Sequence, residues 1–361
     1  MNQLYYTGER PGVFTHYDIV STAAAIGGAR AAALVCRVPA GVGSGTTDNE
    51  LFEAYSPAEV RARYGADFEN SAVNALCGIL FKNGTGKIYI SPVIEDDYQA
   101  AIAATETPED IGAVLTDSTD ANTAALLKAS VLQCSERRRE RLGFAYISAT
   151  AAEAKNAASG LNCERMMICF QTGTDSSGTD TSGTPNGALM AAGMAAIVTS
   201  AADPAAPLSG REIQGIESVT PAVDDAQLDQ LIAGGVTVFE MTGGRCEMVR
   251  AVTTRTISDG VPDRTFLDVN TILVVDNVLI AVRGALKARL RGQKNNAATR
   301  TAIATQAAVE LEAKKAAAII DDYDQPRVYA AAGNPTACLC EIGFTVVSGL
   351  NQIHISAHVT V

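Results

Sequence analysis

KIYISPV at 87–93, IGAVL at 111–115, FAYI at 144–147 and RMMICF at 165–170 are short apolar runs. Between them lie YQAAIAAT at 98–105, a long segment at 122–141 and AAEAKNAA at 151–158, all rich in helix formers. A strand buried on both faces reads as a near-continuous apolar run rather than an alternating one. Such runs alternating with helices predict βαβ units, hence a mostly parallel sheet with helices on both faces.

The same grammar extends upstream. Residues 31–38 are small and apolar and read as the first buried strand. Ser56, Pro57 and Glu59 fit a helix start, with a capping side chain, a first-turn proline and a capping-box glutamate. A second helix is expected over 69–81, and Asn83-Gly84-Thr85-Gly86 turns into the 87–93 strand. Downstream, 172–184 is Gly, Ser, Thr and Asp, which reads as a surface loop. Residues 187–199 form an apolar helix without a polar face, which predicts full burial. A proline loop at 201–209, a helix at 225–233 and a strand at 236–241 follow.

The pattern then changes. An extended segment at 245–256 leads into a long helix reaching about residue 291, with the stripe Val275, Leu279, Val282, Leu286, Leu290. A second helix is expected over 299–320, with Glu310→Lys314 as an i,i+4 pair. Strands at 327–331 and 338–347 come next. The chain closes on QIHISAHVTV at 352–361, where Ile353, Ile355, Ala357, Val359 and Val361 alternate with polar residues. That is the period of a half-buried strand, and a strand this regular at a chain end needs an edge to pair with, its own or a neighbour's. The expected organisation is an extended arm at 1–20, an α/β core at 21–245, a smaller α+β domain at 246–350 and a strand arm at 351–361.

The 361 residues are 47% hydrophobic and 19% charged, and carry a net charge of −12. An acidic balance argues against a nucleic-acid binder, which shows a basic footprint. Met1 is not followed by a signal peptide, and the apolar stretches at 187–198 and 272–282 are too short or interrupted to span a bilayer. The expectation is a soluble protein made in a cytoplasm. Eight scattered cysteines without a CxxC pair read as buried reduced thiols, not a metal site.

Catalytic motifs are missing. There is no G-x-S-x-G elbow. Gly183-Thr184-Pro185 resembles the Gly-Thr-Ser that opens the nucleophile helix of subtilisin-like enzymes, with Pro185 where the nucleophile would stand. The histidines, His16, His354 and His358, all lie in the terminal segments, where no triad base is positioned by a core. Gly84-Thr85-Gly86-Lys87 lacks the P-loop's leading glycine and closing Ser or Thr. The clusters Glu95-Asp96-Asp97 and Asp321-Asp322-Asp324 lack EF-hand spacing. Arg283, Lys287 and Arg291 recur every four residues, near Arg289 and Lys294. They read either as a solvated helix face or as a contact for an acidic surface such as another copy of this chain.

The order of several motifs resembles the contractile phage tail sheath family, shared by R-type bacteriocins and related injection machines. Arg10-Pro11-Gly12-Val13-Phe14, followed by Ser21-Thr22-Ala23, is similar to the family's Pro-Gly-Val-Tyr opening. The apolar helix from Asn186-Gly187-Ala188 through Ala196, then Asp203-Pro204-Ala205-Ala206-Pro207 and Arg211-Glu212-Ile213-Gln214-Gly215, is similar to its buried helix and following loop. Gly234-Gly235-Val236-Thr237-Val238, Gly243-Gly244-Arg245 and Arg255-Thr256 resemble its Gly-Val-Asn, Gly-Arg-Gly and Ala-Arg-Thr stretch, with Thr237 and Cys246 as departures. Phe266-Leu267-Asp268-Val269-Asn270-Thr271 resembles the opening of its C-terminal domain. No β-rich inserted domain is recognisable, which marks a compact sheath.

The resemblance implies a subtilisin-like core without catalytic residues, no enzymatic activity and no cofactor. It implies hexameric rings stacked around an inner tail tube, with baseplate and tail terminator proteins as further partners and no membrane insertion. It implies a virion or bacteriocin-like particle assembled in the host cytoplasm, and contraction that drives the tube through a target membrane. Val13, Phe14, Thr15, Tyr17 and Ile19, with the apolar face of 352–361, would then be arms exchanged between subunits. Arg300, Glu310, Lys314 and Lys315 are tube-facing candidates on the second C-terminal helix, and Arg283, Lys287 and Arg291 are their rivals. The alternatives are an α/β hydrolase or another oligomeric tail component. Against a tube protein stand the chain's length and its α/β grammar.

Overall fold

The computed structural model describes residues 30–38, 50–64, 72–175, 186–290, 293–332 and 334–351. The predicted alternation is present. In chain order the first unit contains β1 (Ala31–Arg37), β2 (Phe52–Ala54), α1 (Pro57–Tyr64), α2 (Ala72–Lys82), β3 (Ile88–Val93), α3 (Tyr98–Ala104), β4 (Ile111–Thr116), α4 (Ala121–Glu136), β5 (Leu142–Tyr146), α5 (Ala151–Leu161) and β6 (Met166–Cys169). These six strands form one sheet in the order β2-β3-β1-β4-β5-β6. All neighbours are parallel except β2, which pairs antiparallel to β3.

Each central strand is buried on both faces, which is why its sequence does not alternate. Ala32, Leu34 and Cys36 of β1 face α1, α2 and a later helix, α6 (Asn186–Ser200). Ala31, Ala33 and Val35 face α3 and α4. The capping chemistry at Thr150 is complete: its hydroxyl accepts from the Glu153 amide, and the Glu153 carboxylate accepts from the Thr150 amide.

α6 is buried nearly throughout, as its uninterrupted apolar sequence demands. Small residues let it approach its neighbours. A Cβ added at Gly193 would lie 2.5 Å from Ile213 Cδ1, and one at Gly187 would lie 2.0 Å from the Tyr146 ring. Gly187→Ala is therefore expected to cost about 3 kcal/mol, because a ring in a packed core cannot move aside freely. Urea unfolding of the variant checks this, and a loss below about 0.5 kcal/mol would show that the ring swings away.

The rest of the first unit is built from small pieces. β7 (Thr172–Asp175) pairs antiparallel with β9 (Ile216–Thr220), where a loop was expected. β8 (Arg211–Glu212) joins β10 (Phe239–Thr242) and β11 (Arg245–Met248) in a three-stranded sheet, and α7 (Asp225–Ala233) lies between β9 and β10 in sequence. The expected divide after residue 245 falls inside β11, one residue from its start. The chain stays with the first unit beyond it, as the Thr254 amide donates to the Met166 carbonyl at 2.9 Å.

A short β12 (Ile257–Ser258) and β13 (Val261–Pro262) hairpin leads to the C-terminal unit. It comprises α8 (Val269–Leu290), α9 (Ala297–Ala316), β14 (Ile320–Tyr323), β15 (Arg327–Ala330), β16 (Cys338–Glu341) and β17 (Phe344–Val346). Val274, Val278 and Val282 pack against Ala307 and Leu311. The buried line therefore sits one residue from the expected stripe in the first half of α8 and joins it at Val282, with Val275 half-buried beside the core of the first unit.

Other elements also differ from expectation. The helix predicted over 122–141 ends at Glu136, because the chain must turn to place Arg141 before β5 (Arg138 has φ 66°). The strand predicted over 338–347 is two strands in separate hairpins: β16 pairs with β15, and β17 pairs with β14. Ile342 and Gly343 separate them, and local alternation across such a break carries no information about which partner each half takes.

Candidate functional site

Several strands of the main sheet are preceded by a charged residue: Arg30 before β1, Asp110 before β4, Arg141 before β5 and Arg165 before β6. α8 runs along this amino-terminal edge. Asp276 and Arg165 form a two-pronged ion pair with both bonds at 2.7 Å, and the residues are 5% and 8% exposed. One helical turn pair further along, Arg283 donates to Glu140 at 2.6 and 3.3 Å. Burial opposes the charge of Arg165, yet the Asp276 carboxylate outweighs it and raises its pKa. Burial likewise pushes the Glu140 carboxyl up, but the Arg283 guanidinium reverses this and holds it below the ordinary glutamate value.

Two further contacts close the seam between the units. Arg250 grips Asp268 at 2.7 and 2.8 Å, and Asn270 Nδ2 donates to the Pro204 and Ala206 carbonyls at 2.9 and 2.6 Å. Planar arginine forks fix orientation as well as distance. The two units are therefore held in one relative pose by directional bonds, not by apolar contact alone.

The far side of the C-terminal unit presents open hairpins. Among the described residues β14 pairs only with β17 and β15 only with β16, so every strand keeps one unpaired edge. On the outer face of the β15–β16 hairpin Tyr329 stands opposite Leu339, 46% and 55% exposed. Arg327 stands opposite Glu341 beside them. An apolar pair on a two-stranded ribbon is a place where an added strand would gain both ladder bonds and burial.

The predicted site residues divide into groups. Val13, Phe14, Thr15, Tyr17, Ile19, Ile353, Ile355, Ala357, Val359, Val361, Arg291, Pro185 and all the histidines lie outside the described residues. Arg283 is engaged by Glu140, while Lys287, one turn on, is exposed. Arg300 donates to Asn295 at 3.0 Å at the surface, and Lys315 pairs with Asp322 at 2.8 Å. Lys314 points inward: it is 5% exposed and donates to Asn277 at 2.6 Å, while Glu310 accepts from Gln306 at 2.8 Å. Sequence reasoning passed over Asp276, Glu140 and Arg165. Their one local signal is a lone aspartate inside an apolar helical run.

At the opposite, carboxyl-terminal edge, where open α/β sheets bind ligands, protein side chains meet one another between β1 and β4. Buried Asp117 accepts from the Tyr98 hydroxyl at 2.7 Å and the Arg37 amide at 2.9 Å. Cys36, Cys77 and Cys169 are buried thiols whose pKa burial pushes well up, and Cys246 is raised to about 12. None is poised as a thiolate. Among the described residues no three His, Cys, Asp or Glu side chains come together as a metal site. α8 is long and apolar enough by composition to cross a membrane, but Asp276 in its middle is bonded to Arg165 inside the protein.

Comparison with known proteins agrees with this architecture. Residues 93–254 match the model of the phage tail sheath protein central domain, and residues 261–360 match that of the phage tail sheath C-terminal domain. No curated protein matches the sequence. A sheath tail protein from Desulfitobacterium hafniense shares the fold at a TM-score of 0.71 and 12% identity, over 94% of this chain and 97% of that one. The helical sheath of the anti-feeding prophage in its contracted state gives 0.71 and 14%, over 96% and 98%. The sheath complex of PVC, an extracellular contractile injection system, in its contracted state gives 0.69 and 13%, over 99% of each chain.

Proposed function

This chain belongs to the phage tail sheath family, and from that premise we propose that it is a structural subunit that polymerises as stacked hexameric rings around an inner tail tube. Contraction of the polymer drives the tube through a target membrane. The observation that carries the reading is the pairing of a bonded seam with open hairpins. A subunit that moves as one body needs its two units locked together, and a polymer that survives the movement needs flexible links between bodies. The ion pairs along α8 supply the lock. The free edges of β14–β17 and β15–β16 offer places for the terminal arms of neighbouring subunits, 1–20 and 351–361, to add strands.

In this proposal the core is a subtilisin-like sheet without catalytic residues. The particle is a phage tail or bacteriocin-like machine assembled in the host cytoplasm, with baseplate and terminator proteins at its ends. Lys287, Arg300 and Lys315 are the surface cations left to face the tube, Lys315 and Arg300 through surface contacts they could exchange, since Lys314 turns inward and Arg283 is held by buried Glu140.

Negative-stain electron microscopy of the concentrated protein tests the reading. Tubes or stacked six-fold rings are expected. A monomer at every concentration and salt condition would sink it.

A further inference from the structure

The geometry points to a binding site for a small organic carboxylate in the cavity where α8 meets the sheet edge. The cavity holds about 90 Å³, the space of about three waters. Arg30 and Arg141 from the first unit line it, and so do Asp276 and Asn277 from α8.

Its polar wall offers donors. Arg141 is 1% exposed, and among the described residues its bonds go only to backbone carbonyls: Arg139 at 3.3 Å, Thr105 at 2.7 Å and Pro108 at 2.9 Å. A guanidinium carries five N–H groups, so three are committed and two remain. The carboxylate whose field it feels, Glu106, accepts from Ser130 at 2.8 Å and pairs with Arg137 at 3.6 Å. Arg30 donates to the Glu140 carbonyl at 2.8 Å, and its stem lies over Gly112, where a Cβ would meet it at 2.5 Å. Neither arginine has a carboxylate partner among the described residues.

Asp276, the acidic group on the wall, has both oxygens bound by Arg165. Asn277 accepts from Lys314 through Oδ1, and its Nδ2 has no acceptor among the described residues. The Thr199 hydroxyl is bonded back into its own helix, at 2.9 Å from the Ala195 carbonyl.

Arg141 is a buried cation and Arg30 beside it a half-buried one; with no carboxylate bonded to either among the described residues, an anion here would offset the cost of that charge. The remaining wall includes Leu142, Leu273 and Ile280. That lining favours a carboxylate with a two- or three-carbon body over a strongly hydrated inorganic ion. The ligand would join Arg30 and Arg141 to Asn277 and so add a bond across the seam. The inference does not depend on polymerisation.

The test is thermal unfolding of the full-length protein in sodium propionate, sodium phosphate and sodium chloride at equal ionic strength. Propionate is expected to raise Tm by about 2–4 °C over chloride at roughly a hundred times its Kd. Titration calorimetry should give one propionate per chain. Arg30→Gln and Asn277→Asp should both abolish the propionate-specific rise, with far-UV circular dichroism reporting that each is folded. Asn277→Asp keeps the volume and the Lys314 bond while replacing the donor with a negative charge. Equal melting in propionate and chloride would mean that the cavity holds water only. A rise with phosphate alone, or one that persists in both variants, would equally overturn the assignment.

Discussion

Asp276→Ala is expected to remove about 3–5 kcal/mol of stability, the range measured for breaking one side of a buried ion pair. The reason is what remains. Arg165 is 8% exposed, its two terminal nitrogens both point at Asp276, and its charge cannot be discarded by deprotonation. Alanine leaves that charge in a low-dielectric seam with no carboxylate bonded to it. Deleting both partners is a different matter. Arg165→Met with Asp276→Leu should return to within about 2 kcal/mol of the parent, because a buried pair replaced by packed apolar groups is often neutral. Urea unfolding followed by circular dichroism compares the three proteins. A single-variant loss under about 1 kcal/mol would mean that water enters the seam. An equally large loss in the double variant would assign the cost to packing rather than charge.

Removing residues 352–361 is expected to leave a folded protein that no longer polymerises. Sequence alternation puts Ile353, Ile355, Ala357, Val359 and Val361 on one face. The described hairpins already close without this segment, since β14 pairs with β17 and β15 with β16. Its loss should therefore cost intersubunit ladder bonds and little of the monomer's own stability. Circular dichroism, sedimentation velocity and negative-stain microscopy on the truncated protein give the answer. A truncated chain that unfolds would place the last strand in its own core, and one that still forms tubes would remove it from the lattice contacts.

The parts legible in the sequence were those set by local burial. The runs at 87–93, 111–115, 144–147 and 165–170 are apolar on consecutive residues because helices cover both faces of the sheet, and that covering is what made them readable as parallel strands. α6 lacks a polar face and is buried. The Ser56 helix start, where the Glu59 amide donates to the Ser56 hydroxyl at 3.4 Å, and the β15 strand also answer to patterns a few residues long.

What escaped was set by partners distant in the chain. A half-apolar stripe every four residues does not say which of two adjacent lines faces the core, so Val274 and Val278 lie buried where Val275 and Leu279 were expected, while Val282 is buried as expected. Arg283 reads as a solvated cation or as a contact for another chain, and instead meets Glu140 of its own chain, 143 positions away. Lys314 looked exposed until Asn277 came to meet it.

By itself, then, the sequence determined the layered α/β core and the order of its elements, because burial imposes a periodicity that neighbouring residues record. Only the tertiary structure decided that α8 lies along the amino-terminal edge of the sheet and is locked there by charge. Arg165 and Asp276 stand 111 positions apart, and the free energy of a buried pair depends on a meeting that no local pattern encodes.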